Sequence, residues 1–203
     1  FKLTEPSVLY LEVEFGGNKG FGTGFLIHPD GYALTCNHVI KSREGKVADK
    51  ITARLRIPGR MGGEDTYHNC VVVKTFEELD MALIKTTDGS NFPYLKLEKQ
   101  EFEAKEFDEF LLLGYPFGER TKAAISVNVG RIVSIQNNPD GNGIDRYNIQ
   151  CEAKKGNSGS PAISLKTGSV IGLLPGAIKA YEGDYEEINY LRPIKYFWTE
   201  FFK

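Results

Sequence analysis

Short apolar runs of four to eight residues, cut apart by Gly, Pro, Asn and Asp, constrain the fold of this chain more than any other feature. Residues 8–15 end in near-strict alternation of apolar and polar side chains. The runs 24–27 and 32–35 flank His28-Pro29-Asp30-Gly31, whose composition predicts a tight turn. Further strands are expected over 51–57, 70–74, 81–85, 111–114, 124–135, 147–151, 161–164, 170–173 and 188–191. Many short strands with such punctuation favour an all-β barrel or sandwich. Residues 96–109 are rich in Glu and Lys and poor in β-branched residues, which suits a connection between an N-terminal half (1–95) and a C-terminal half (110–203). After Pro193, the 3–4 spacing of Ile194, Phe197, Trp198 and Phe201 predicts a short helix with one apolar face, packed on the body.

At 203 residues the chain forms one domain or two closely packed subdomains. Its 25 basic and 27 acidic residues leave a net charge of −2, so charge gives no argument for nucleic acid or an anionic membrane. No run of about 18 apolar residues is present to span a bilayer. The three cysteines, Cys36, Cys70 and Cys151, are too few and odd in number for a disulfide framework, so each is expected to pack as a small apolar residue. This usage points to a reducing compartment and hence a cytoplasmic location.

Three polar residues stand out. Ser158 lies in Gly156-Asn157-Ser158-Gly159, where glycines let the chain turn tightly and aim backbone N–H groups at a developing oxyanion. The same tetrapeptide also fits an ordinary turn. His38 follows an apolar strand, where a histidine can equally be a satisfied core residue. Asp80 abuts the apolar run 81–84, and an acid there is costly unless hydrogen-bonded. A histidine N–H would satisfy it and fix the tautomer of the ring. Together they give the order His, Asp, Ser, one of the known orders of a nucleophile, its base and the carboxylate that orients the base. No histidine follows Ser158, which argues against an α/β-hydrolase, and the chain lacks the alternating helices of a subtilisin-like fold. His28 is explained by its turn. His68 lies two residues before Cys70, but no second ligand pair with metal spacing follows, so no metal or cofactor is expected.

These residues resemble the trypsin-like serine proteases, and in particular the bacterial HtrA/Deg type. The resemblance is carried by Gly22-Thr23-Gly24-Phe25, by His28 through Val39, by Asp80-Met81-Ala82-Leu83-Ile84-Lys85, by Leu113-Gly114-Tyr115-Pro116-Phe117-Gly118 and by Val129-Gly130-Arg131-Ile132-Val133-Ser134. Gly156 to Pro161 is also similar to the glutamyl endopeptidases of the same fold. The resemblance implies two six-stranded antiparallel β-barrels with a triad of His38, Asp80 and Ser158 at their seam. It implies an oxyanion hole from the Gly156 and Ser158 amides, and peptide-bond hydrolysis in protein substrates. It also implies that Leu174, Pro175 and Gly176 border the first specificity pocket, with residues 152–155 and 188–190 as further walls.

Some features depart from the pattern. HtrA-type enzymes usually carry a PDZ domain after the protease, and this sequence ends before one could fit, so trimer assembly and PDZ gating do not carry over. Position 157 is Asn rather than the Asp that pairs with a freshly cut N-terminus in trypsin, so Phe1 is not expected to be an activating terminus. Leu174 stands where glutamyl endopeptidases carry a Glu-reading His. Glu152 would favour a basic residue if it faced the pocket, and Lys154 and Lys155 an acidic one, although all three also read as solvated loop charges. The expected function is a serine endopeptidase. The competing reading is a protease-fold peptide-binding or chaperone-like module whose latent site a partner protein or regulatory domain activates.

Overall fold

Half-buried strands show the expected alternation most clearly in Lys50–Arg56, where Ile51, Ala53 and Leu55 turn inward and both ends face water. The computed structural model describes residues 5–42, 44–56, 65–121, 124–140, 143–179 and 187–201. The first six strands are β1 (Val8–Phe15), β2 (Asn18–Leu26), β3 (Tyr32–Thr35), β4 (Lys50–Arg56), β5 (Asp65–Phe76) and β6 (Met81–Thr86). They close into a barrel in the order β1-β2-β3-β6-β5-β4. The second barrel joins β7 (Glu109–Gly114), β8 (Ser126–Asn137), β9 (Ile144–Gln150), β10 (Ser160–Ser164), β11 (Val170–Lys179) and β12 (Glu187–Pro193) in the order β10-β11-β12-β9-β8-β7. All pairings are antiparallel, and closure leaves neither sheet with a free edge.

Among the described residues two α-helices interrupt the strands. A single turn, α1 (Asn37–Ile40), follows β3, and α2 (Lys195–Phe201) follows β12. The helix expected after Pro193 is therefore present. Phe197 is buried and meets Phe76 edge-on at 6.0 Å, while the Trp198 indole N–H donates to the Glu98 carbonyl at 2.8 Å. Through these contacts α2 ties the connection after β6 to the first barrel.

The first barrel's core, with Leu9, Leu11, Phe25, Leu34 and Leu83 fully buried, continues into Leu113, Tyr115 and Leu173 of the second. Each such side chain contributes about 1.5–3 kcal/mol by leaving water. At the seam Tyr10 and Tyr115 meet edge-on at 5.6 Å, and the Tyr115 hydroxyl donates to the Val8 carbonyl at 3.3 Å. A separate cluster of Phe110, Leu112, Ile132, Tyr147, Ile149, Leu174 and Leu191 fills the second barrel.

Several strands run further than expected, among them β2, β5 and β11, which continues to Lys179. β2 begins at Asn18 and passes through Gly20, Gly22 and Gly24. These glycines make room rather than break the strand: a Cβ at Gly24 would lie 3.0 Å from Leu11 Cδ1 and 3.1 Å from the Leu34 carbonyl. β5 starts at Asp65 and alternates along its length, with Tyr67, Val71 and Val73 on the outer face. Residues 57–64 and 180–186, like Phe1, lie outside the described residues.

Candidate active site

β3 delivers His38 at the start of α1, and the turn before β6 delivers Asp80. Asp80 holds a left-handed backbone conformation (φ 51°) that ends a short 3₁₀ turn over Glu77–Leu79, its N–H donating to the Glu77 carbonyl at 3.0 Å. Asp and Asn adopt this conformation more readily than most residues. It brings the Asp80 carbonyl to the Asn37 N–H at 3.1 Å and points the side chain at His38. Oδ1 accepts the His38 backbone N–H at 2.9 Å, and Oδ2 lies 2.6 Å from ring Nδ1. A carboxylate only accepts, so Nδ1 carries the proton and Nε2 is left as the basic nitrogen. The His38 side chain is 49 % exposed and that of Asp80 30 %. An open cleft of about 560 Å³ lies against both, with Phe15, Ser42 and the Lys41–Glu77 ion pair on its walls.

Ser158 arrives from the second barrel in the tight loop before β10. Gly156 and Gly159 have φ of 105° and 91°, a region that L side chains rarely adopt. Space forbids a side chain as well: a Cβ at Gly156 would lie 2.4 Å from the Tyr115 carbonyl, and one at Gly159 1.9 Å from the Thr23 carbonyl. The loop is fastened by the Asn157 N–H to Lys154 C=O (2.9 Å), Phe117 N–H to Lys155 C=O (2.7 Å) and Gly159 N–H to Leu174 C=O (2.8 Å) bonds. Among the described residues neither the Gly156 nor the Ser158 amide has an acceptor.

The loop is also held from the first barrel, by a residue the sequence did not single out. Thr23, fully buried in β2, donates its N–H to the Ser158 carbonyl at 2.9 Å and its hydroxyl to the Gly156 carbonyl at 2.7 Å. The same hydroxyl accepts the Tyr115 N–H at 3.1 Å, and the Thr23 carbonyl accepts the Thr35 hydroxyl at 2.7 Å. Other contacts bring the flanks of His38 to the same place. Cys36, two residues before the histidine, donates its thiol to the Leu174 carbonyl at 3.4 Å, the group that also holds Gly159. A Cβ at Gly22 would meet both Val39 Cγ1 (2.7 Å) and the Ser158 carbonyl (3.3 Å). The Ser158 hydroxyl donates to the Pro175 carbonyl at 3.2 Å.

The remaining expected site residues are placed as follows. Leu174 is buried in the second barrel's core, and Pro175 is buried beside it. Gly176 pairs with Tyr190 across β11 and β12. The Glu152 side chain is 69 % exposed and faces the Lys154 ammonium at 3.4 Å, while the Lys155 ammonium lies over the Phe21 ring at 5.8 Å. Asn157 is buried. A second open groove, about 620 Å³, runs past Glu152, Cys151 and Asn189 and includes neither His38 nor Asp80. His68 is paired instead with Asp88, at 3.3 Å.

The model of the trypsin-like peptidase domain matches residues 22–173, more than half of the chain. A probable periplasmic serine endoprotease, DegP-like, from Pseudomonas putida is 31 % identical over 179 residues, covering 87 % of this chain and 33 % of that protein. Its counterpart from Chlamydia pneumoniae is 32 % identical over 174 residues, covering 85 % and 32 %. The chain thus spans about a third of the length of the curated relatives it matches. Among solved structures, the HtrA-type protease AlgW with tripeptide is similar at a TM-score of 0.70 and 27 % identity, over 95 % of this chain and 58 % of that one. Deg5, at 20 % identity, shares the fold with a TM-score of 0.72 over 98 % of this chain and 88 % of its own.

The relatives overturn the expected cytoplasmic location, since they are named periplasmic. Counting cysteines misled for a physical reason. All three are unpaired, and burial pushes the thiols up, Cys70 to about 12 and Cys151 to about 11. Burial, reinforced by the Asp80 charge, raises that of Cys36 well above the ordinary range. A thiol held protonated and largely covered is slow to oxidise, so an odd cysteine count does not report the redox state outside. The matched family model, the HtrA-type relatives and the paired six-stranded barrels together establish that this chain belongs to the trypsin-like peptidase family, among its HtrA/Deg-type members.

Proposed function

We propose that this chain is a serine endopeptidase that cuts protein or peptide substrates, with His38, Asp80 and Ser158 as its triad. The observation that carries the reading is the double hydrogen bond from His38 to Asp80, at 2.9 Å from the backbone N–H and 2.6 Å at Nδ1. An exposed imidazole gains little stability from such a clamp, but a general base needs its tautomer fixed. Ser158 Oγ attacks the scissile carbonyl while Nε2 takes its proton, and Asp80 stabilises the imidazolium. The Gly156 and Ser158 amides hold the oxyanion. Nε2 then returns the proton to the departing amine, and water repeats the sequence on the acyl-enzyme. Leu174, Pro175 and Gly176, with Glu152, border the first substrate pocket on this reading.

A fluorophosphonate probe tests the proposal. It should label the native protein at Ser158, as mapped by peptide mass analysis, and a proteome-derived peptide library should show internal cleavage. No labelling of folded protein at any substrate-analogue concentration would remove the reading. One observation favours the second reading, a latent site ordered by a partner: the Ser158 proton rests on the Pro175 carbonyl. Labelling only after addition of a peptide or a regulatory partner would select that version. We also propose a periplasmic setting, from the names of the relatives.

A further inference from the structure

Cys36, His38 and Asp80 offer a sulfur, a ring nitrogen and a carboxylate oxygen that all lie within 4.8 Å of one another. No other group of three His, Cys, Asp or Glu among the described residues comes so close. Zinc binds thiolate at about 2.3 Å and nitrogen or oxygen at about 2.0–2.2 Å in a tetrahedron, which sets neighbouring ligand atoms roughly 3.3–3.8 Å apart. The 2.6 Å Nδ1 to Oδ2 contact is tighter than this and the span of the set is wider. A shift of the half-exposed ring by about 1 Å reconciles the two. The ring makes this adjustment, since Cys36 is buried just after β3 with its thiol on the Leu174 carbonyl. Charge also balances: one thiolate, one carboxylate and a neutral imidazole carry the two negative charges that a divalent cation neutralises. The cleft of about 560 Å³ reaches His38 and Asp80 from solvent, while the Cys36 sulfur, within 4.8 Å of their ligand atoms, is buried.

We propose that Cys36, His38 and Asp80 form an inhibitory site for a thiophilic divalent cation of the zinc class, bound through Sγ, Nδ1 and a carboxylate oxygen. Binding releases one proton to solvent, from the thiol, while the ring stays neutral and its proton moves from Nδ1 to Nε2. With the metal on Nδ1, the proton of the neutral ring sits on Nε2. That nitrogen then has no lone pair to accept the serine proton, and the base is off. The inhibitory half of the proposal rests on the peptidase reading above, whereas metal binding does not.

The test uses protein kept reduced with a phosphine, which supplies no competing thiol. Titration with Co²⁺ should give a thiolate-to-cobalt charge-transfer band in the near ultraviolet and the intense visible bands of four-coordinate cobalt, both removed by Zn²⁺. X-ray absorption of the zinc-loaded native protein should show one sulfur ligand at about 2.3 Å, a measurement that requires no variant. Cys36→Ser and Cys36→Ala should lose the charge-transfer band. The Zn²⁺ concentration that halves peptidase activity, measured within each variant against its own metal-free rate, should rise by at least about tenfold. Ser158→Ala should bind Co²⁺ like the native chain. Absence of the sulfur ligand, or an unchanged response to zinc in folded Cys36→Ser, overturns the proposal. Cobalt bound through Cys36 in a chain with no probe-reactive serine would uphold the metal site and overturn the peptidase reading instead.

Discussion

The first barrel fixes its contribution to the site with side chains, and the second fixes its own with backbone. On the first, every polar atom of Asp80 is engaged: its N–H with Glu77, its carbonyl with Asn37 and both carboxylate oxygens with His38. On the second, the loop around Ser158 is shaped by glycines at positive φ and by bonds to its main chain, two of which come from the N–H and hydroxyl of Thr23 on the first barrel. The contrast has a consequence. Changing a side chain of the first barrel's pair attacks the chemistry directly, whereas the nucleophile is most exposed to damage through a residue on the opposite barrel.

The largest effects should come from the chemistry itself. Ser158→Ala should lower kcat by about 10⁴-fold or more, with a small residual rate from the oxyanion donors and substrate binding. The double variant with His38→Ala should be no slower, because the two act as one unit. Asp80→Asn should cost about 10³–10⁴-fold, since an amide can donate to Nδ1 and favour the wrong tautomer. Thermal unfolding should stay near that of the native chain in both cases. Loss of only a few-fold in Ser158→Ala would break the comparison at its root, because the backbone half would then hold something other than a nucleophile.

How much of this was legible beforehand follows the same division. His38, Asp80 and Ser158 could be read because each breaks a local pattern: an imidazole after an apolar strand, an acid beside a buried run, a serine between glycines. The strands could be read from alternation, and α2 from the spacing of its aromatic residues. Thr23 could not, because a threonine inside a glycine-rich strand looks like any β-former, and its four hydrogen bonds depend on which residues the two barrels bring beside it. Glu152 was legible as a charge but not as a direction, and its side chain proves largely exposed beside Lys154. The compartment was misread because burial, not surroundings, explains the cysteines.

Thr23 provides the middle-sized test. Thr23→Val keeps the shape and removes the hydroxyl, leaving the Gly156 carbonyl and the Tyr115 N–H buried without that partner, at about 1–3 kcal/mol each. We expect kcat to fall by about 10- to 100-fold with KM nearly constant, because the Gly156 carbonyl sets the plane of the peptide beside an oxyanion donor. Thr23→Ser should restore most of the rate. If the valine variant lost stability but kept its kcat, Thr23 would be only a structural bond and the cross-barrel hold on the nucleophile would not matter to turnover.

The smallest effect tests whether the second barrel can be weakened without touching the site. Asp108, 7 % exposed, precedes β7 and accepts the Lys105 N–H at 3.0 Å and the Lys166 ammonium, while its own carbonyl accepts the Ile132 N–H at 3.0 Å. Burial pushes its carboxyl up, but these donors together outweigh it and hold the group below the ordinary 3.8. A carboxyl lowered on folding adds stability above its unfolded value, and that stability disappears as pH falls through the folded one. Asp108→Asn should therefore cost about 1 kcal/mol at neutral pH, discounted for the exposed lysine, or about 2–4 °C in Tm. The gap between the two proteins should narrow below about pH 4 as the native carboxylate protonates. Peptidase rates well below Tm should agree within about twofold, because none of the bonds that hold Ser158 passes through Asp108. A rate that fell along with the stability would mean that the backbone of the second barrel transmits strain from β7 to the nucleophile loop, and that Thr23 does not isolate it.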